Sequence, residues 1–220
     1  KRLKVLKGHA TWIRTFSCTN GHELIPQLAK EMGFKIFAGA WISNDLENNE
    51  KELASLKTLL GQGTVDMASV GNEVLYRNEI SADVLYDYIV QIKKVACHIP
   101  IGYVDIYYEV IKHPKLSEVS DILMINCYPY WEGADIEFAS LYIQEMYHRV
   151  AQISGGKKIV VTETGWPSKG QTVKDAVPSS ENVMRYITEI SEWSTSKNVE
   201  IFYFSSFDES WKIHFEGWAG

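Results

Sequence analysis

The sequence predicts an α/β fold, a (β/α)8 or TIM barrel, and three observations carry that expectation. Short apolar runs alternate with helical stripes from one end to the other. Most of the runs are nearly continuous rather than in–out alternating, as for strands covered on both faces in a parallel sheet. Polar and aromatic residues gather just after the run ends, where a barrel collects them at one mouth. An open doubly wound sheet would alternate in the same way. No Gly-x-Gly-x-x-Gly opens a helix, however, so the signature of a dinucleotide-binding sheet is missing.

Strands are expected at residues 12–18, 35–41, 67–73, 99–107, 122–128, 158–164 and 200–207. Between them lie four helical stripes. Leu53, Leu56, Leu59 and Leu60 run up to a stop at Gly61. Ser81 is an N-cap for Val84, Leu85, Tyr88, Ile89, Ile92, Val95 and Ala96. Leu141, Ile143, Met146, Val150 and Ile153 end near Gly155-Gly156, and Ser179-Ser180-Glu181 opens a stripe of Val183, Ile187, Ile190 and Trp193. Residues 1–10 read as a helix remnant and little follows the last strand. The expectation is thus one domain over residues 1–220, a barrel lacking its first strand and last helix, with two open edges.

Composition excludes several classes of function. A formal net charge of −6 argues against a phosphate backbone as partner. No run approaches a membrane span, and Lys1-Arg2-Leu3-Lys4 lacks a signal peptide's apolar core. The three cysteines include no Cys-x-x-Cys, and the two inside strand-like runs, Cys18 and Cys127, read as buried thiols. Six scattered histidines with no His-x-x-x-His pair give no metal site, and no cofactor is expected. Seven Trp and twelve Tyr are many for this length, and several follow strands. Stacking on a sugar's apolar face is one use, ordinary packing the other.

Two glutamates stand out. Glu73 closes Val70-Gly71-Asn72-Glu73, and Glu163 closes Ile159-Val160-Val161-Thr162-Glu163 with Thr164-Gly165-Trp166-Pro167 behind it. A carboxylate at the end of a buried strand is costly to desolvate. Two of them suit glycoside cleavage, in which one protonates the leaving oxygen while the other attacks the anomeric carbon or activates a water. Capped or ion-paired strand-end acids are the plainer alternative.

At these residues the sequence resembles glycoside hydrolase family 17, the β-1,3-glucanases and β-1,3-glucanosyltransferases, in a style nearer bacterial and fungal members than plant ones. The resemblance rests on ordered blocks: Trp12-Ile13-Arg14-Thr15-Phe16, Gly39-Ala40-Trp41-Ile42, Val70 to Leu75, Asn126 to Gly133, Val161 to Ser168, and Phe204 to Lys212. It implies a retaining double displacement with Glu73 as acid/base and Glu163 as nucleophile. In such a site the carboxyls lie roughly 5–5.5 Å apart and their environments must separate their pKa values. The resemblance further implies that Asn72 meets the sugar 2-hydroxyl and that Tyr128 donates to Glu163. A buried Tyr with a satisfied hydroxyl is the alternative for Tyr128. Trp131 and Glu132 match an acceptor-side loop, Glu209 and Lys212 an acid and lysine near the catalytic pair, and Trp166 and Phe207 a floor under the donor sugar. Trp41 can equally pack the barrel end.

Phe16 stands where many members carry Tyr, which removes a donor-side hydrogen bond. The partner implied is a β-glucan polysaccharide or oligosaccharide, handled by a monomer in a secreted, cell-wall or periplasmic setting. Hydrolysis is the first expectation. Transfer through the same intermediate is the second, and a non-catalytic glucan-binding fragment is the third. A phosphate-binding barrel would need an anion nest, for which Ser168-Lys169-Gly170 is a faint candidate.

Overall fold

The computed structural model describes residues 1–207. The chain forms two compact units, Lys1–Leu123 and Met124–Gly220. In the first, a short helix α1 (Arg2–Leu6) precedes β1 (Trp12–Thr15), α2 (Ile25–Glu31), β2 (Lys35–Ala40), α3 (Leu46–Gly61) and β3 (Met67–Asn72). It continues through α4 (Ala82–Lys93), β4 (Ile101–Ile106), α5 (Tyr107–Lys112) and α6 (Pro114–Val119). Its strands lie in sequence order and pair in parallel: Trp12 faces Lys35, Phe37 faces Met67, and Ala68 faces Ile101. Parallel neighbours need a crossover, and each helix between strands supplies one.

In the second unit the order is β5 (Leu123–Asn126, begun at the unit boundary), α7 (Pro129–Glu132), α8 (Ile136–Ile153), β6 (Ile159–Thr164), α9 (Ser180–Lys197) and β7 (Glu200–Tyr203). β6 and β7 are parallel, with Val160 facing Glu200 and Thr164 facing Tyr203. Among the described residues no helix is long and apolar enough to cross a membrane.

The strands fall where the apolar runs are, though several are shorter than the runs. The tail of the first run, Phe16 to Cys18, leaves the sheet after Thr15. The helix signals fare well at the caps. Ser81 accepts the Val84 N–H at 3.3 Å, Ser179 accepts the Asn182 N–H at 3.0 Å, and α3 ends at Gly61. The stripes are narrower than expected. Leu85, Ile89, Ile92 and Ala96 are buried, while Val84 and Val95 face solvent. In α8, Ile143, Met146 and Val150 face inward but Leu141 is 61% exposed. Two residues from Ile143 is about 200° around a helix, so Leu141 cannot share its face. In α9 the buried set is Tyr186, Ile190 and Trp193, spaced at four and three, rather than the stripe beginning at Val183.

One buried acid ties the loops of the first unit together. Glu52, in α3, is 1% exposed and its carboxylate accepts four bonds. Ser17 and Thr19 donate their hydroxyls at 2.5 Å each, and the Cys18 and Trp41 backbone N–H groups donate at 2.7 and 3.0 Å. The chain leaving β1 and the chain leaving β2 therefore share one anchor. Desolvation and this carboxylate together push the Cys18 thiol up, which keeps it an inert neutral group. Removing the anchor strands the buried Cys18 N–H and the half-buried Trp41 N–H, each worth about 1–3 kcal/mol. Glu52→Ala is expected to lower unfolding stability by about 2–5 kcal/mol, read as a fall in the urea midpoint, and Glu52→Gln by less because one acceptor oxygen remains.

Candidate active site

Each glutamate singled out above sits just where a strand loses regular register. In β3 the pairing with β4 shifts between Ser69 and Asn72. The extra residue is accommodated by Gly71, whose φ of +84° is left-handed and whose missing side chain makes room for Val74. Pairing resumes at Asn72 opposite Val104, and Glu73 follows with φ +54°, a left-handed backbone that costs a non-glycine residue about 1–2 kcal/mol. The Glu73 N–H donates to the Val104 carbonyl at 2.8 Å, and its carbonyl accepts from the Arg77 N–H at 3.0 Å. The residue is half-buried.

Asn72 is buried, and its side-chain oxygen accepts from the Arg14 guanidinium at 2.9 Å. Arg14 projects from β1 and lies over the Phe16 ring at 4.2 Å and the Phe37 ring at 5.0 Å. Phe16 thus supports a cation. The sequence carries a signal for Arg14: it interrupts the apolar run 12–18 with a charge near the strand's end, as Glu73 does in its own run.

Glu163 belongs to the second unit and is 6% exposed. Register with β7 shifts between Val161 and Thr164, across this residue. Its carboxylate is held on both oxygens. Asn126 donates its amide to Oε1 at 3.0 Å, and Tyr128 donates its hydroxyl to Oε2 at 2.7 Å. Thr162 donates its hydroxyl to the Asn126 oxygen at 2.8 Å, which fixes which end of that amide faces Glu163. The Glu163 carbonyl accepts the Cys127 N–H at 2.9 Å. Behind it, any side chain on Gly165 would run into the Phe204 carbonyl, and Phe204 donates its N–H to the Thr164 carbonyl at 2.8 Å. Tyr128 therefore makes the bond expected of it. Asn126, buried at the end of β5, is the partner that sequence reasoning missed.

The aromatic residues after these strands divide between surface and interior. Trp131 is 45% exposed and packs edge-on against Tyr130, with ring centroids 4.9 Å apart. Trp166 is 4% exposed, lies 5.6 Å from both Tyr130 and Tyr186, and donates its indole N–H to the Val177 carbonyl at 3.0 Å. Glu132 is exposed, and its carbonyl accepts from Lys174. Phe207 is half-buried, and its carbonyl accepts from the Ser205 hydroxyl. Trp41 is half-buried with the Arg77 guanidinium 4.8 Å above its ring. Glu209 and Lys212 lie outside the described residues. Among the described residues no three His, Cys, Asp or Glu side chains converge as a metal site.

This geometry has close relatives. The whole chain, residues 1–220, matches the family model of the BtgE/BtgC glycoside hydrolase domain. The crystal structure of a glycoside hydrolase family 17 β-1,3-glucanosyltransferase from Rhizomucor miehei superposes with a TM-score of 0.89. It is 34% identical, over 95% of this chain and 80% of that one. The chain belongs to glycoside hydrolase family 17. It is a glycoside hydrolase domain with the family's (β/α)8 fold, of which seven strands and the helices between them lie among the described residues. A Saccharomyces cerevisiae glucan 1,3-beta-glucosidase is 28% identical over 98% of this chain and 76% of its own length. The Candida albicans cell surface mannoprotein MP65 is 28% identical over 84% of this chain and 50% of its own length.

A third acid lies near the first glutamate. Asp105, at the end of β4, has no exposed surface, and burial pushes its carboxyl up to about 6 despite the hydrogen bonds it receives. An aspartate normally titrates near 3.8, so between about pH 4 and 6 the folded chain holds a proton the unfolded chain has released. Stability from this group is therefore greatest at low pH and falls as pH rises through that window, by on the order of 3 kcal/mol. In urea unfolding from pH 4 to pH 7, the stability of the wild type minus that of Asp105→Asn should fall by this amount. A flat difference would mean the carboxyl titrates normally.

Proposed function

We propose that residues 1–220 are one catalytic domain that cleaves β-1,3-glucan with retention of configuration. Glu163 acts as nucleophile and Glu73 as acid/base. The observation that carries the reading is the hold on Glu163, a nearly buried carboxylate bonded on each oxygen by a separate donor, Asn126 and Tyr128. Capping alone would not call for two side-chain donors, one of them fixed in turn by Thr162. A nucleophile does, because attack on the anomeric carbon requires one orientation.

In the first step a Glu163 oxygen bonds to the anomeric carbon as the bond to the glycosidic oxygen breaks. The Glu73 proton passes to that departing oxygen. In the second, Glu73 takes a proton from an incoming hydroxyl, whose oxygen bonds to the anomeric carbon and releases Glu163. Water as the incoming group gives hydrolysis. Asn72, oriented by Arg14, is assigned to the sugar 2-hydroxyl. Trp131, with its ring open to solvent, is assigned to the acceptor side beside Glu132, and Trp166, packed on Tyr130, to the floor under the donor sugar. Phe207, Glu209 and Lys212 complete the sugar-binding set. The domain works as a monomer at the cell surface or in the wall, and its net charge of −6 suits a neutral polymer rather than nucleic acid.

A glucan hydroxyl as the incoming group would give transfer, and similarity to a β-1,3-glucanosyltransferase at 34% identity favours that second outcome. Product lengths from laminari-oligosaccharides decide between them, since only transfer yields chains longer than the substrate. Glu163→Gln should abolish release of reducing sugar, and Glu73→Gln should slow it by roughly 10²–10⁴-fold. Tyr128→Phe deletes one bond to a charged oxygen and should lower kcat by about 10–100-fold with little change in KM. Glucan binding without turnover in the unsubstituted chain would return the non-catalytic alternative.

A further inference from the structure

We propose that Asp105, acting with Tyr103, is a positioning residue for Glu73: together they fix the turn that carries the acid/base carboxyl. The inference rests on the reading of Glu73 given above and extends it to residues that reading does not use. Three successive residues of β4 grip the chain as it leaves β3. The Tyr103 hydroxyl accepts the Leu75 N–H at 2.9 Å and donates its own proton to Asp105 Oδ2. The Val104 carbonyl accepts the Glu73 N–H at 2.8 Å. Asp105 Oδ2 also faces the Tyr76 N–H at 3.4 Å, while Oδ1 accepts the Ile106 N–H at 2.8 Å. Tyr103 and Asp105 are two apart on a strand, so their side chains share a face and meet one turn from the same direction.

The segment they hold needs holding. Gly71 and Glu73 both have left-handed backbones, which leaves Leu75 and Tyr76 with N–H groups turned away from the sheet ladder. A left-handed glutamate persists only where its surroundings over-determine it. The bonds from Tyr103 and Asp105 do this from inside, where neither residue is more than 5% exposed. An acid that served packing alone would be a poor choice at such a depth, because an apolar residue of similar size avoids its desolvation. What the carboxylate adds is direction: it takes a phenol proton and orients the phenol oxygen to receive Leu75. A misplacement near 1 Å of a group that transfers a proton costs about a hundredfold in rate, so a looser turn should be felt in the proton-transfer step.

Leaving groups provide the test. Departure of a glucan hydroxyl needs the proton from Glu73, whereas departure of 2,4-dinitrophenolate does not. The full chain carrying Asp105→Asn or Tyr103→Phe is compared with wild type on laminaripentaose and on 2,4-dinitrophenyl β-laminaribioside, with Glu73→Gln measured alongside. Both variants are expected to lose about tenfold or more in kcat/KM on the pentaose. On the dinitrophenyl glycoside each should stay within about threefold of wild type, and Glu73→Gln should show the same selectivity more strongly. Equal losses on both substrates, or none, while Glu73→Gln keeps its selectivity would overturn the positioning role and leave a structural one. If Glu73→Gln itself lost both activities alike, the reading of Glu73 would fall first. Tyr103→Phe removes only a hydroxyl and carries the comparison if Asp105→Asn unfolds.

Discussion

A carboxylate taken out of water must be met by donors, and in this chain that requirement decides which loops are fixed. Glu52, Asp105 and Glu163 are all nearly or wholly buried, and each is met by groups from another element. Glu52 reaches from a helix to the chain leaving β1 and β2. Asp105 reaches from β4 toward the chain leaving β3. Glu163, on β6, is reached by Asn126 and Tyr128 at the end of β5. The loops that follow strands would otherwise be the most mobile parts of a parallel α/β fold. Desolvated acids convert them into defined surfaces, at a cost in stability that an apolar core would not incur.

The same economy explains why register breaks where it does. Both shifts, between Ser69 and Asn72 and between Val161 and Thr164, come at the carboxyl ends of strands and next to the two glutamates. A regular strand would point successive side chains to opposite faces and carry the acid on into the helix layer or the core. One extra residue re-aims it. In β3 the extra residue needs a left-handed glycine at position 71, two residues before Glu73, which is itself left-handed.

Much of this was legible in the sequence, and the losses have physical causes. The caps at Ser81 and Ser179 and the leucines of α3 were readable because capping and a full helical stripe are local properties. Leu141 and Val95 are apolar yet exposed, because the face a residue occupies depends on the helix phase, which one extra apolar residue cannot set. Tyr128 was legible because it ends an apolar run. Arg14, Asn126 and Asp105 were not, although each is a polar residue near the end of an apolar run, as the two glutamates are. Residue type and pairing separate them from the glutamates: two flanked carboxylates suggest chemistry, whereas a lone amide, guanidinium or carboxylate suggests a satisfied interior group. Their partners, Asn72, Glu163 and the turn after Glu73, are distant in sequence, and only the fold brings them together.

Both glutamates are held by neighbouring strands, and the hold on each fits the work assigned to it. Glu163 is gripped through its side chain, with one donor on each oxygen. The Glu73 backbone is gripped through Val104 at its own N–H and through Tyr103 and Asp105 on the residues behind it. A nucleophile needs its oxygens aimed along one line and gains nothing from moving. An acid/base must first face the departing oxygen and then the incoming hydroxyl, and between those events it changes protonation state. A backbone held in one place through both steps keeps that carboxyl at the same reacting oxygen, which is what a proton relay used twice in one cycle requires.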